Sequence, residues 1–428
     1  MSRQNYESRR RSIAMATERC ELSAREKGMM MEEKRRKQAL KRGLSGPWQS
    51  EPHFGSYYGE EEIETAVRAI RSSFDPLVGF GFITEEFLEF ERQFAEYVGT
   101  KHALSICTAS VGLEMAIRCL DLEPGEEVIC PTINFRAAPM AVLGHGGRLV
   151  LCEADPTTLC ADPADVERRI TPRTRAMLVT HMNGLSADMD ALLEVADRHP
   201  HPKHGPLKVI GDAARACGGG YRGAKIGKKG WMTIFSFHTM KNMTTLGEGG
   251  MITTDDDDII ARLHEMRQFG GEGWGSSYKM TRVQAAVGPV QLRRLDGLIA
   301  ARRKLAEQRH KLLEACPGLT LPYEPEGYLH SYYMYCLLVP REWAGEKRDR
   351  LIALLNEEYG VSCGIFNRPV HEEVPYIRRH TEGQRLPVSN DIGGRLFCPP
   401  IHPMMSESDN EYIAAAVWEA VERVAAEA

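Results

Sequence analysis

FSFHTMKNMTTLGEGGMITTDD, residues 235–256, reads as a strand, a loop carrying Lys241, and a second strand entered through the glycine-rich turn GEGG. Alternation along the first strand sets Ser236 and His238 on one face, and the run ends beside Lys241. Lysine is seldom placed at the ligand-binding edge of a sheet unless its charge is used. A desolvated lysine has a lowered pKa and can attack an aldehyde as the neutral amine. Standing alone, the segment favours a solvated loop lysine. Its surroundings change that reading.

Upstream, HALSIC (102–107), EVICP (127–131), RLVLCEAD (148–155), RAMLVTH (175–181) and LKVIGDAA (207–214) are short apolar strands. Helix-like stretches such as 162–169 and 188–198 lie between them. After the first strand, Leu113, Ala116, Ile117 and Leu120 recur on one helical face. Strands alternating with helices predict an α/β fold with a mainly parallel, doubly wound sheet. Ligands of such sheets bind beyond the carboxyl ends of the strands.

Two more segments fall at that edge. Thr108, Ala109 and Ser110 open a helix, where free backbone N–H groups and a hydroxyl suit a phosphate. An ordinary N-cap explains them equally when they are taken alone. Asp212 follows a buried apolar strand, where a carboxylate is costly unless a cation meets it. A protonated pyridine nitrogen is such a cation. Together the three segments specify a phosphate grip, a pyridinium partner and a Schiff-base lysine, which is the chemistry of pyridoxal 5′-phosphate.

These residues lie within a longer pattern: FLEFERQFAEYVGTKHAL (87–104), EEVICPTINFRAA (126–138), DPTTLCADP (155–163), HMNGLSADMD (181–190), GDAARACGGGYRG (211–223), YKMTRVQAAVGPVQLRRLD (278–296) and RPVHEEVP (368–375). From about Tyr58 to Val421 the chain resembles the DegT/DnrJ/EryC1/StrS family of sugar aminotransferases. The resemblance implies the pyridoxal-phosphate transferase fold type I. That fold has a large domain with a mainly parallel, seven-stranded type of sheet and a smaller α+β C-terminal domain. It implies that Lys241 bonds the cofactor and then shuttles a proton, that Asp212 pairs with the pyridine nitrogen, and that Phe135 stacks on the ring. Ala109, Ser110 and Ser236 are then expected to hold the phosphate. The segment 277–280 resembles a loop with which a neighbouring subunit completes the site, giving a homodimer with shared active sites. His238, Arg215 and His371 are candidate substrate contacts. Three positions depart from the family: Arg215 replaces Gln or His beside the cofactor's phenolic oxygen, Ser277 replaces a frequent Asn, and Leu246 lengthens the turn.

The expected organisation is a charged N-terminal arm over 1–50, a large cofactor-binding domain over 51–295 and a small domain over 296–428. The arm holds RRR at 9–11 and EKRRKQALKR at 33–42, with acidic residues interleaved. A formal net charge of -5 disfavours nucleic-acid binding. Neither a membrane span nor a signal peptide is expected, and the eleven scattered cysteines fit reduced thiols in the cytoplasm. No metal site is expected. VGFGFIT (78–84) lacks the third glycine of a dinucleotide fingerprint, and GAKIGKKG (223–230) lacks P-loop spacing. The expected activity is transfer of an amino group from glutamate or glutamine to a keto-sugar or keto-cyclitol. Dehydration or oxidative deamination of an amino-sugar is the main alternative. The family's deoxygenating members replace the lysine with histidine, so Lys241 argues against it. A non-catalytic sensor is a third reading.

Overall fold

The computed structural model describes residues 33–48, 56–75, 77 and 83–427. The motif at 9–11 and the rest of the arm up to residue 32 lie outside the described residues. The strands are β1 (His102–Ile106), β2 (Glu127–Pro131), β3 (Arg148–Cys152), β4 (Thr174–Thr180) and β5 (Lys208–Asp212). The small hairpin β6 (Gly220–Tyr221) and β7 (Ala224–Lys225) follows, then β8 (Met232–Ser236) and β9 (Gly250–Thr254). Seven of them form one sheet in the order β1-β9-β8-β5-β4-β2-β3. All neighbours run parallel except those of β9, which is antiparallel to both β1 and β8.

The strands read as apolar runs because helices cover both faces of the sheet. Every residue of β4 is buried. The helix Ala109–Arg118 lies so close to the sheet that a Cβ at Gly112 would meet Ile106 Cδ1 at 2.6 Å and Ile234 Cγ2 at 3.0 Å. Helices over Pro163–Arg169 and Met189–Arg198 begin at Asp162 and Asp188, each accepting a backbone N–H in its own first turn.

The second half is organised by a 32-residue helix, Arg282–Leu313. The charged segment from about Asp296, DGLIAARRKLAEQRHKLLEAC, reads as a linking helix. The helix itself begins at Arg282, where Thr281 and Gln284 form a capping box, and it runs through Pro289. The boundary expected at 295/296 therefore falls inside a continuous helix. Beyond it, helices Glu346–Glu357 and Glu407–Ala426 enclose a second core around Leu351, Leu355, Ile413 and Trp418.

SYYMYCLLVP (331–340) reads as a strand, but its ladder pairs form only at Leu337–Leu338, against Leu396–Phe397, with Leu338 also bridging Thr320. Its first half is diverted because Tyr332 holds a left-handed φ of 47° and donates its N–H to His330 Nδ1 at 2.9 Å.

The described part of the arm is a helix, Glu33–Arg42, docked on this chain's own C-terminal helix. Buried Arg36 pairs with Glu419 and Glu422 and lies 4.8 Å from the Trp418 ring. Ser45 N and Trp48 Nε1 donate to the Asp409 carboxylate at 2.8 and 3.0 Å. Among the described residues no helix is long and apolar enough to cross a membrane.

Candidate active site

Strand register brings the candidate residues to one edge. Gly250, opening β9, pairs with Ile106 at the end of β1 and with Ser236 at the end of β8. A Cβ on Gly250 would stand 2.9 Å from Ala109 N, so glycine lets the start of the helix Ala109–Arg118 approach β8. Thr108 gives that helix no side-chain cap, which leaves its first N–H groups available to a ligand. The start of that helix, with Ala109 and Ser110, thus lies near the end of β8 at Ser236, a setting suited to an anion.

Asp212 ends β5, level with Thr180 at the end of β4. It is 4% exposed. One hydrogen bond reaches its carboxylate among the described residues, from Ala214 N at 3.0 Å, and no cation lies within ion-pair distance. Burial raises its pKa, while the charges of Lys241 and Arg215 act to lower it. A buried carboxylate with a vacant oxygen fits a ligand that brings its own N–H cation, as the pyridinium of pyridoxal phosphate does.

Lys241 lies half-buried in the loop between β8 and β9, with its N–H on His238 O at 2.9 Å. Its Nζ donates to Tyr333 Oη at 3.2 Å. His238 follows the end of β8, and its Nε2 lies 3.7 Å from Glu248 Oε1. Leu246, the extra residue of the turn, takes a left-handed φ of 59° and donates its N–H to Tyr58 Oη at 2.8 Å. Phe135 follows β2 and is 52% exposed, an aromatic face left open at the ligand edge. His371 Nδ1 meets Thr132 Oγ1 at 2.7 Å, so the C-terminal half reaches the same edge just past β2.

Arg215 is 6% exposed and donates to Asn367 Oδ1 and, at 3.9 Å, to Met334 Sδ. Ser277 closes the hairpin Gln268–Gly270/Trp274–Ser277 and accepts from Lys279 Nζ at 3.1 Å. The next residue, Tyr278, accepts Cys107 N at 2.8 Å, tying this segment to the end of β1. Sequence reasoning missed Tyr333, Asn367 and Asn183. Tyr333 lies in a segment that reads as a strand, Asn183 lies within HMNGLSADMD without being singled out there, and nothing local marks Asn367.

One group of metal-ligand composition exists among the described residues: Glu126, His201 and His204, at the opposite, amino edge of the sheet. His201 Nδ1 accepts Lys203 N at 3.1 Å, so the ring proton lies on Nε2, which faces Glu126 Oε1 at 3.4 Å. Arg175 also pairs with that carboxylate, at 3.2 Å. Glu123 N also donates to the same carboxylate, at 2.8 Å.

A model of the DegT/DnrJ/EryC1/StrS aminotransferase family matches residues 59–418. Spore coat polysaccharide biosynthesis protein SpsC of Bacillus subtilis (strain 168) is 31% identical over 399 residues, covering 87% of this chain and 98% of SpsC. GDP-perosamine synthase of Caulobacter vibrioides (strain ATCC 19089 / CIP 103742 / CB 15) is 36% identical over 339 residues, covering 77% of this chain and 88% of the synthase. Among solved structures, DesV of S. venezuelae, in complex with a ketimine intermediate, aligns with a TM-score of 0.78 at 31% identity. The alignment covers 85% of this chain and 95% of DesV. The fold type I architecture expected from the sequence is the one observed.

Proposed function

The chain belongs to the DegT/DnrJ/EryC1/StrS aminotransferase family, and from that premise we propose that it moves an amino group from glutamate or glutamine to a keto-sugar or keto-cyclitol. It is an enzyme of amino-sugar transamination whose cofactor is pyridoxal 5′-phosphate. When bound, that cofactor supplies an electron sink for the carbon that loses its proton. Lys241 would hold the cofactor covalently and would serve as the base that moves a proton during the transfer. Asp212 would keep a proton on the ring nitrogen, and Phe135 would cover the ring. Ala109, Ser110 and Ser236 would bind the phosphate, and His238, Arg215 and His371 would border the substrate.

The observation that carries this reading is the buried Asp212 carboxylate, short of a cation, at the strand edge it shares with Lys241. The active unit is a homodimer in which the segment 277–280 completes the neighbour's site. Supporting it, Ile63, Val67, Ile70, Phe74 and Leu77 stand exposed along and just past the helix Glu60–Ser72. A continuous apolar stripe of this kind is a common mark of an interface.

The test is to reduce the loaded enzyme with borohydride, map the trapped cofactor, and then screen keto-sugars against the pyridoxamine phosphate form. Trapping on Lys241 and consumption of that form by a keto-sugar are expected. Trapping on another lysine, or no keto-sugar reacting, overturns the reading.

A further inference from the structure

Tyr333 places its hydroxyl oxygen 3.2 Å from Lys241 Nζ, which also lies 4.7 Å from the centre of the Tyr333 ring. The tyrosine is 1% exposed. Its approach is built by the backbone. Ser331 N donates to Gly184 O at 2.9 Å, and Met334 N donates to Asn183 O at 3.3 Å. Asn183 and Tyr332 hold left-handed φ values of 57° and 47°, which residues with a Cβ adopt infrequently. Gly184, at φ 107°, has no room for a side chain: a Cβ there would meet Ser331 Oγ at 2.5 Å and Tyr333 N at 2.9 Å. From the lysine side, Asn242 Nδ2 donates to Ser331 Oγ at 3.1 Å. Two adjacent residues of the lysine loop are therefore tied to one short segment of the C-terminal half.

We propose that Tyr333 is a positioning residue for the transamination, its hydroxyl fixing the orientation and the charge balance of the Lys241 amine. This rests on the reading of Lys241 as the cofactor-bearing base. A phenol oxygen accepts an N–H from lysine in both its neutral and its charged form. Holding that N–H turns the lone pair of the neutral amine away from Tyr333 and leaves it free to take a proton. The ring face attracts the amine only once it is charged. When Lys241 removes a proton from carbon, a new N–H bond forms at Nζ and positive charge develops beside the ring. When the proton is returned to the second carbon, the charge is lost, and Tyr333 keeps no proton of its own from the cycle.

Several other groups face the pair. Asp212, at the end of β5, interacts with Lys241 and with Arg215. Arg302, on the long helix, interacts electrostatically with Tyr333. His238 O accepts the backbone N–H of Lys241 at 2.9 Å. Charge on Lys241 is thus set jointly by Asp212 and the phenol, and removing the hydroxyl alone should move its titration.

Tyr333→Phe keeps the ring and deletes the hydroxyl. We expect kcat to fall roughly ten- to a hundredfold, with donor KM within about threefold. The pH–rate profile should shift by about half a unit or more. A second readout needs no turnover. In apo protein, the pH at which Lys241 becomes reactive toward pyridoxal, trapped by borohydride and located by mass spectrometry, should shift as well. Fluorotyrosine at position 333 retains the packing and makes the hydroxyl more acidic, so it should move the same titration even if Tyr333→Phe folds poorly. A wild-type pH profile and a wild-type lysine titration in these variants overturn the proposal while leaving Lys241 in place. Trapped cofactor on a different lysine overturns the underlying reading, and the proposal with it.

Discussion

Asp212 and Arg215 carry opposite charges three positions apart, are 4% and 6% exposed, and do not pair with each other. Arg215 is drawn instead to Asn367 Oδ1, and Asn367 Nδ2 donates in turn to Asn183 Oδ1 at 2.8 Å. The buried guanidinium is therefore hydrogen-bonded to an amide rather than ion-paired with the buried carboxylate. Each is left to meet a ligand group of the opposite sign, which is the arrangement a zwitterionic cofactor and its substrates require.

Removing the carboxylate should be costly to chemistry and tolerable to binding. Asp212→Ala is expected to lose orders of magnitude in kcat while retaining part of its cofactor, measured by the visible band and by single-turnover rates. Activity within a few-fold of wild type would remove Asp212 from the mechanism.

Arg215→Gln separates two roles. If the guanidinium serves the cofactor's oxyanion, the spectroscopic pKa of the loaded enzyme shifts and both half-reactions slow. If it serves an anionic acceptor, the donor half-reaction is spared and the acceptor's KM rises about ten- to a hundredfold, the equivalent of roughly 1.5–3 kcal/mol. Unchanged spectra and kinetics, with only a lower Tm, would reduce Arg215 to its hydrogen bond with Asn367.

The exposed stripe gives a test of assembly. Ile70→Glu combined with Phe74→Glu should convert a homodimer into a monomer of low activity, followed by sedimentation at assay concentration. Mixing Lys241→Ala with a variant disabled only in segment 277–280 should restore some activity through hybrid dimers. A fully active wild-type monomer would defeat the shared-site arrangement.

His181 sets a pH dependence of stability. It is buried at the end of β4, its Nδ1 accepts Ala187 N at 3.2 Å, its Nε2 has no hydrogen-bond partner, and burial pushes its pKa down to about 4. The unfolded chain protonates this ring below about 6.5, and the folded chain only near 4. The unfolded state thus binds more protons in that window. Stability present above pH 6.5 should fall as pH drops toward 4, by up to about 3 kcal/mol, and level off below. Urea unfolding at pH 7, 5.5 and 4.5 should show this slope, flattened in His181→Gln. Equal slopes in the two proteins would place the effect elsewhere, with His330, pushed down to about 3, the next candidate.

Much of the sheet was legible because its information is local. Continuous apolar runs such as Val209-Ile210 and Met177-Leu178-Val179 read as strands, and Asp162 and Asp188 mark helix starts within a few residues. Lys241 and Asp212 stood out because a charge beside a buried strand is costly unless it is used. The chain order of strand, loop and helix then brought them to one edge by topology alone.

Other features depended on partners remote in sequence. SYYMYC was read as a strand from its aromatic and apolar content. The direction of its first half is fixed by hydrogen bonds to Asn183 and Gly184, and by the left-handed turn at Tyr332. The charged segment from about Asp296 reads as a helix, but the helix itself runs Arg282–Leu313, through Gly288 and Pro289. Gly288 is pressed against Phe90, where a Cβ would lie 2.4 Å from the ring.

By itself, then, the sequence determined the strands of the sheet and singled out Lys241 and Asp212 at the carboxyl edge of its strands. Only the tertiary structure decided that Tyr333 meets Lys241, and that Asn367 accepts a hydrogen bond from Arg215. Periodicity records which face of an element is buried, whereas these contacts depend on how loops from both halves of the chain meet, and no local pattern encodes that.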